Sequence, residues 1–214
     1  DDLFHEVYDK MRAADIIMPD LDVAGTIALA TNDDGGDADI VNANGLTLAA
    51  STVGLGATGA GGDLDADATL GSITDSGAVT VSGNASFTTL AANETITLNQ
   101  LDVAGTIDLT TNGGAGHADV VNAQSLDFAT SVVDGDLTAQ TILAAGDITQ
   151  SGGPLDVEGN SIFTAPSARS IVLDDDLNDF TGTVTFLSAG VGDLDTVRIF
   201  DSSIITLAGI DVVT

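Results

Sequence analysis

The sequence predicts an all-β chain wound as a parallel β-helix solenoid. Three observations carry this: an internal duplication, apolar residues at every second position, and a finer recurrence within each duplicate. LDVAGTIALATNDDGGDADIVNANGLTLAA at 21–50 matches LDVAGTIDLTTNGGAGHADVVNAQSLDFAT at 101–130, with 18 identities in 30 positions at an offset of 80. The likeness continues at an offset of 75, where ITDSG at 73–77 returns as ITQSG at 148–152. The shortfall comes from STVGLGATGAGG at 51–62, which the second copy largely lacks. FTGTVTF at 180–186 echoes VAGTIDL at 103–109. Residues 21–214 therefore divide into about two and a half units, 21–100, 101–179 and 180–214.

Residues 1–20, DDLFHEVYDKMRAADIIMPD, break the pattern. Phe4, Tyr8 and Met11 share one helical face. Asp1 and Asp2 stand near the start, and Lys10 and Arg12 lie further along, the favourable order for a helix dipole. Pro19 is placed to end the segment. A short helical cap or assembly segment is expected here, because the first coil of a solenoid has an open edge.

From residue 21 onward, short runs such as Ile27–Leu29, Leu46–Leu48, Val79–Val81, Ile96–Leu98 and Ile107–Leu109 place apolar residues at i and i+2. Thr, Ser, Asp or Ala sits between them, so one face points in and one out. Gly, Asn and Asp fill the gaps, where turns need a positive φ or a local side-chain hydrogen bond. Equivalent positions recur at a nearly constant step: Ile107 to Leu126, Leu126 to Ile148, Ile148 to Ile171, Phe180 to Phe200. Hairpins favour shorter spacings. About nine stacked coils would make a rod roughly 45 Å long.

Charge narrows the function. Thirty-three Asp plus Glu stand against four Lys plus Arg, a formal net charge of −29. Such a surface repels phosphate, so nucleic-acid partners and polybasic docking on anionic lipid are excluded. With no cysteine, there is no thiolate zinc site, no disulfide frame and no cysteine nucleophile. No transmembrane helix is expected, since no apolar run is long enough to span a bilayer.

Chemistry-bearing residues are sparse. His5 and His117 are the only imidazoles, and His117 stands where the other copy has Asp37. Asn32-Asp33-Asp34, Gly116-His117-Ala118 and Arg198-Ile199-Phe200 are scattered fragments of the pattern used by β-helical pectin hydrolases, with no Lys after Arg198. Absence of Trp leaves little for sugar stacking. No catalytic residue is assigned. The acidic clusters are the metal candidates: Asp33, Asp34, Asp37 and Asp39; Asp63, Asp65 and Asp67; and Asp174, Asp175 and Asp176. Carboxylates and turn carbonyls suit Ca²⁺, although an EF-hand begun at Asp63 would meet Ala68 and Thr74 where Gly and Glu are needed. Ca²⁺ is thus a candidate ligand, and no cofactor is required.

GDITQSGGPLDVEGNSIFTAPSARSIVLDDDLNDFTGTVTFL at 146–187, followed by VRIFDSSIITLAGI at 197–210, resembles the repeats of large bacterial surface and secreted proteins of the filamentous-haemagglutinin and autotransporter-adhesin type. The resemblance implies a right-handed β-helix, an extracellular or cell-surface location, and a structural role in adhesion, biofilm matrix or fibres. The expected function is therefore a non-enzymatic β-helical shaft. Two alternatives are kept: a subunit that joins end to end into a homo-oligomer or filament, and a Ca²⁺-dependent glycan-binding or polysaccharide-degrading module with host or matrix glycans as partners.

Overall fold

A computed structural model describes residues 15–31, 35–54 and 61–211. Two parallel sheets face each other across one core. Sheet 1 runs through the strands Ile16–Leu21, Ala38–Asn42, Leu64–Ala68, Ala85–Ala92, Thr106–Asn112, Leu126–Val133, Ile148–Val157, Ser170–Leu173 and Thr196–Ile199, with Asp179–Phe180 beside Ile148–Val157. Sheet 2 runs through Thr26–Ile27, Leu46–Leu48, Ile73–Asp75, Ile96–Val103, Ala118–Asn122, Leu137–Thr141, Ser161–Pro166, Thr183–Ala189 and Thr206–Ile210. Ser51–Val53 and Val79–Val81 join it at the side. The chain alternates between the sheets, so each circuit is one coil of a β-solenoid with about eight turns. Eight steps at a strand spacing of about 4.8 Å give a length of roughly 38 Å. Coils differ in length: the step from Ala118 to its partner Leu137 is short, and the step from Leu46 to its partner Ile73 is long.

The alternation expected from the sequence is the burial pattern of the strands. Ile107 and Leu109 are fully buried, while Thr106 and Asp108 between them reach the surface. Stacked coils turn the inward positions into ladders; Phe128, Phe163, Phe180 and Phe186 pack ring to ring with centroids 5.8 to 6.2 Å apart. Leu126, Ile148 and Ile171 are register partners, as their spacing predicts. Ile107 instead lies opposite Phe128, one alternation beyond Leu126. Phe180 pairs with Val157, and Phe200 donates its N–H to the Leu173 carbonyl, so those two phenylalanines are not partners.

The first strand corrects the helical expectation for 1–20 where it is described; residues 1–14 lie outside the described residues. Ile16–Leu21 is extended and pairs with Ala38–Asn42. The Ile16 N–H bonds to the Asp37 carbonyl, and Asp15 Oδ1 accepts the Asp37 N–H. Pairing with the next coil satisfies these groups better than an isolated turn of helix would. Pro19, which has no N–H, falls at the register shift between Met18 and Leu21. No helix occurs among the described residues.

The duplication also has an unexpected geometry. Ala38–Asn42 in sheet 1 corresponds to Ala118–Asn122 in sheet 2, and Leu64–Ala68 in sheet 1 to Leu137–Thr141 in sheet 2. Conversely, Ile96–Leu98 of sheet 2 corresponds to Ile171–Leu173 of sheet 1. The sequence unit therefore spans three and a half coils, and its two copies lie on opposite faces.

Candidate functional site

The aspartates divide into those that hold the corners and those that face outward. Asp37 Oδ1 accepts the Asp63 N–H at 2.8 Å, Asp63 Oδ1 accepts the Asn84 N–H at 2.7 Å, and Asn84 Oδ1 accepts the Thr106 N–H at 2.9 Å. Each side chain thus caps the strand start of the following coil, a bond an Asx side chain is the right length to make. The second copy repeats this on the other sheet. His117 Nδ1 accepts the Asp136 N–H at 2.7 Å, Asp136 Oδ1 the Asn160 N–H at 2.7 Å, and Asn160 Oδ1 the Thr183 N–H at 3.1 Å. His117 can replace Asp37 because its ring nitrogen supplies the same lone pair. Beside these ladders the backbones touch: a Cβ on Gly182 would lie 2.2 Å from the Gly159 carbonyl oxygen, so only glycine fits there.

The outward set lies on sheet 1. Asp39 is the register partner of Asp65, Asp65 of Ser86, and Ser86 of Asp108. They line an open recess whose rim includes Asp37, Asp63, Asn84 and Thr106. Asp67 lies one alternation along the strand from Asp65. Partial burial, then the charge of Asp39, raises the Asp65 carboxyl above its usual value. Asp67 is raised by burial and then by Asp65, and Asp108 by burial and then by Asp65. Further along the sheet Asp156 is raised by burial, by its register partner Asp179 and by Asp134.

Of the other sequence candidates, Asp33 and Asp34 lie outside the described residues. Asp174 pairs with Arg198. Asp175 Oδ1 accepts the Leu177 N–H at 3.0 Å. Asp176 belongs to the same turn. Among the described residues no three carboxylate or imidazole groups converge in a way that would hold a metal ion. The recess brings Asp37 and Asp39 of one sequence cluster together with Asp63 and Asp65 of another, and adds Asp108, which the sequence reading missed. The signal was present: 65, 86 and 108 are one coil apart, and all three alternate with buried positions.

Among the described residues, no cation or imidazole lines this recess. Arg169 bonds to the Ala168 and Ala145 carbonyls, Arg198 to Asp174, and His117 to the corner of the second copy.

The two faces differ in charge. Strands of sheet 1 carry eight aspartates: Asp20, Asp39, Asp65, Asp67, Asp108, Asp127, Asp156 and Asp179. Those of sheet 2 carry three: Asp75, Asp102 and Asp119. The central outward rank of sheet 2 passes through Thr26, Thr47, Thr74, Thr97, Asp119, Thr138, Ile162 and Thr185.

Coil stacking, corner ladders and duplicated units together define a β-solenoid repeat protein. The chain belongs to the family described as repeats of unknown function (DUF5649), which matches residues 35–110 and 115–187, one match on each copy. No curated protein and no solved structure matches the chain.

Proposed function

We propose that the chain is a non-enzymatic β-helical shaft of a secreted or cell-surface protein, a spacer that carries other parts outward. The observation that supports this most is the uninterrupted core from Leu29 to Leu194, beneath an outer surface on which a recess of sheet 1 is lined by carboxylates. Corner ladders run on both copies, so stiffness is distributed along the rod. The resemblance of residues 146–187 to filamentous-haemagglutinin and autotransporter-adhesin repeats supports an extracellular location and a right-handed winding. Ca²⁺ enters this reading as a loosely held counterion of the acidic sheet. Antibody against the chain should label intact cells of the source organism, and external protease should remove the label; labelling only after lysis overturns the reading.

End-to-end joining into a filament is the second reading. On the last described coil Phe200, Ile204 and Leu207 are exposed. Small-angle scattering should then show particles that lengthen with concentration at constant cross-section.

A further inference from the structure

Of the two sheets, sheet 2 is the one on which the described carboxylates least oppose a neighbour. Its strands hold three carboxylates against eight on sheet 1, and two of the three are engaged: Asp75 Oδ2 accepts the Gln100 N–H and Asp102 Oδ1 the Gln124 side-chain amide, both at 2.7 Å. The neutrality is specific to position. Asp65 and Asp108 of the first copy lie on sheet 1, and their counterparts in the second copy, on sheet 2, are Thr138 and Thr185. The corner residues Asp63 and Asn84 keep their counterparts Asp136 and Asn160. At these two positions acid is present where the copy faces one way and replaced by threonine where it faces the other; Asp39 alone of the rank keeps its acid, as Asp119.

We propose that sheet 2 is the surface through which two copies of this chain pair side by side, leaving both acidic sheets in solvent. The face measures about 38 Å along the axis by about 17 Å for five extended residues, roughly 650 Å² per chain. Two such faces bury about 1,300 Å², at the lower end of the range for specific interfaces. Threonine methyls and Ile162 meet their equivalents across the usual spacing of packed sheets of about 10 Å. Asp119 lies on the fifth of nine strands. In a twofold pair with the rods parallel, or antiparallel and fully overlapped, it faces its own copy. It is also raised by burial already, so this pair of carboxylates opposes association most directly. Overall repulsion between two chains of −29 adds to it and is screened by salt, over about 30 Å at 0.01 M and about 3 Å at 1 M.

The test is sedimentation and small-angle scattering of the 214-residue chain at low and high salt. The expected result is a molar mass that doubles in about 1 M salt, with a thicker cross-section and unchanged length. Asp119→Asn should strengthen the association at least tenfold. Thr97→Asp and Thr138→Asp, on either side of Asp119, should weaken it by a similar factor. Thr88→Asp and Thr110→Asp, on sheet 1, should leave it unchanged, and circular dichroism should show all five variants folded. A chain that stays monomeric at every salt concentration, Asp119→Asn included, overturns the proposal. So does a doubling that lengthens the particle or survives Thr97→Asp. Surface labelling of cells is unaffected by any of these outcomes, so the shaft reading stands or falls separately.

Discussion

The outward rank Asp39–Asp65–Ser86–Asp108 and its duplicate Asp119–Thr138–Ile162–Thr185 descend from one sequence and lie on opposite sheets. Beneath them the duplicates agree. Leu64 and Leu137, Phe87 and Phe163, Ile96 and Ile171 are all fully or almost fully buried. Asn42 and Asn122 make the same three bonds, to the backbone N–H and carbonyl of Val23 or Val103 and to the carbonyl of Gly45 or Ser125. What stacks between coils constrains each position twice, from the coil before and the coil after. What points outward is free to diverge, and here it has diverged in charge.

The comparison breaks first at the core. Ile107→Asp should cost several kcal/mol and abolish cooperative unfolding of the rod, because an unpaired carboxylate would sit inside an apolar ladder. Thr106→Asp, facing out, should cost about 1 kcal/mol through the lost hydroxyl bond to Asn84. Thermal unfolding followed by circular dichroism separates the two; equal costs would invalidate the inward and outward assignment. Next come the buried asparagines. Asn42→Ala and Asn122→Ala should each cost about 2 to 4 kcal/mol in urea titrations, since each strands several buried backbone groups. A clear difference between them would mean the copies are not mechanically equivalent.

Smaller effects probe the faces. Asp65 binds its proton more tightly in the folded chain than in the unfolded one, where the value is near 3.8. Its charged form therefore destabilises the fold at neutral pH. Stability should rise as pH falls through the raised value and stop rising once the unfolded chain protonates too. Asp67 and Asp108 add to the trend with the same sign. Asp65→Thr, which copies Thr138, should raise the urea midpoint at pH 7 by the equivalent of about 0.5 kcal/mol or less, after solvent screening. It should also flatten the gain seen as pH falls from 7 towards the unfolded value near 3.8. A midpoint that falls on acidification would contradict the shared sign of these shifts. The smallest effect is expected at the corner: His117→Asp restores the acceptor that Asp37 provides, and should change the melting temperature of the chain by no more than a degree or two at pH 7.

Much of this was legible in the sequence. Alternation gave Ile107, Leu109, Leu126 and Phe128 their inward places, and the nearly equal steps from Leu126 to Ile148 and from Ile148 to Ile171 gave the coil. The half-coil offset was hidden because strands of the two sheets share one alternating pattern, and nothing in the likeness of the copies says which sheet each joins. Asp37 and Asp63 read as metal ligands because a carboxylate's partner one coil away is a backbone N–H, which has no signature in sequence. Residues 16–20 read as part of a helical segment because their pairing partner, Ala38–Asn42, is a full coil distant.

A repeat whose length in sequence is an odd number of half coils makes period in the gene and period in space different quantities. Any further unit added in the same way would return to the starting face only after seven coils, about 34 Å of axis. A residue acquired in every unit would be displayed left and right in alternation, like leaves on a stem. A continuous one-sided strip needs separate changes at two unrelated positions of the unit, and Thr74 and Thr138 on the outer rank of sheet 2 come from two such positions.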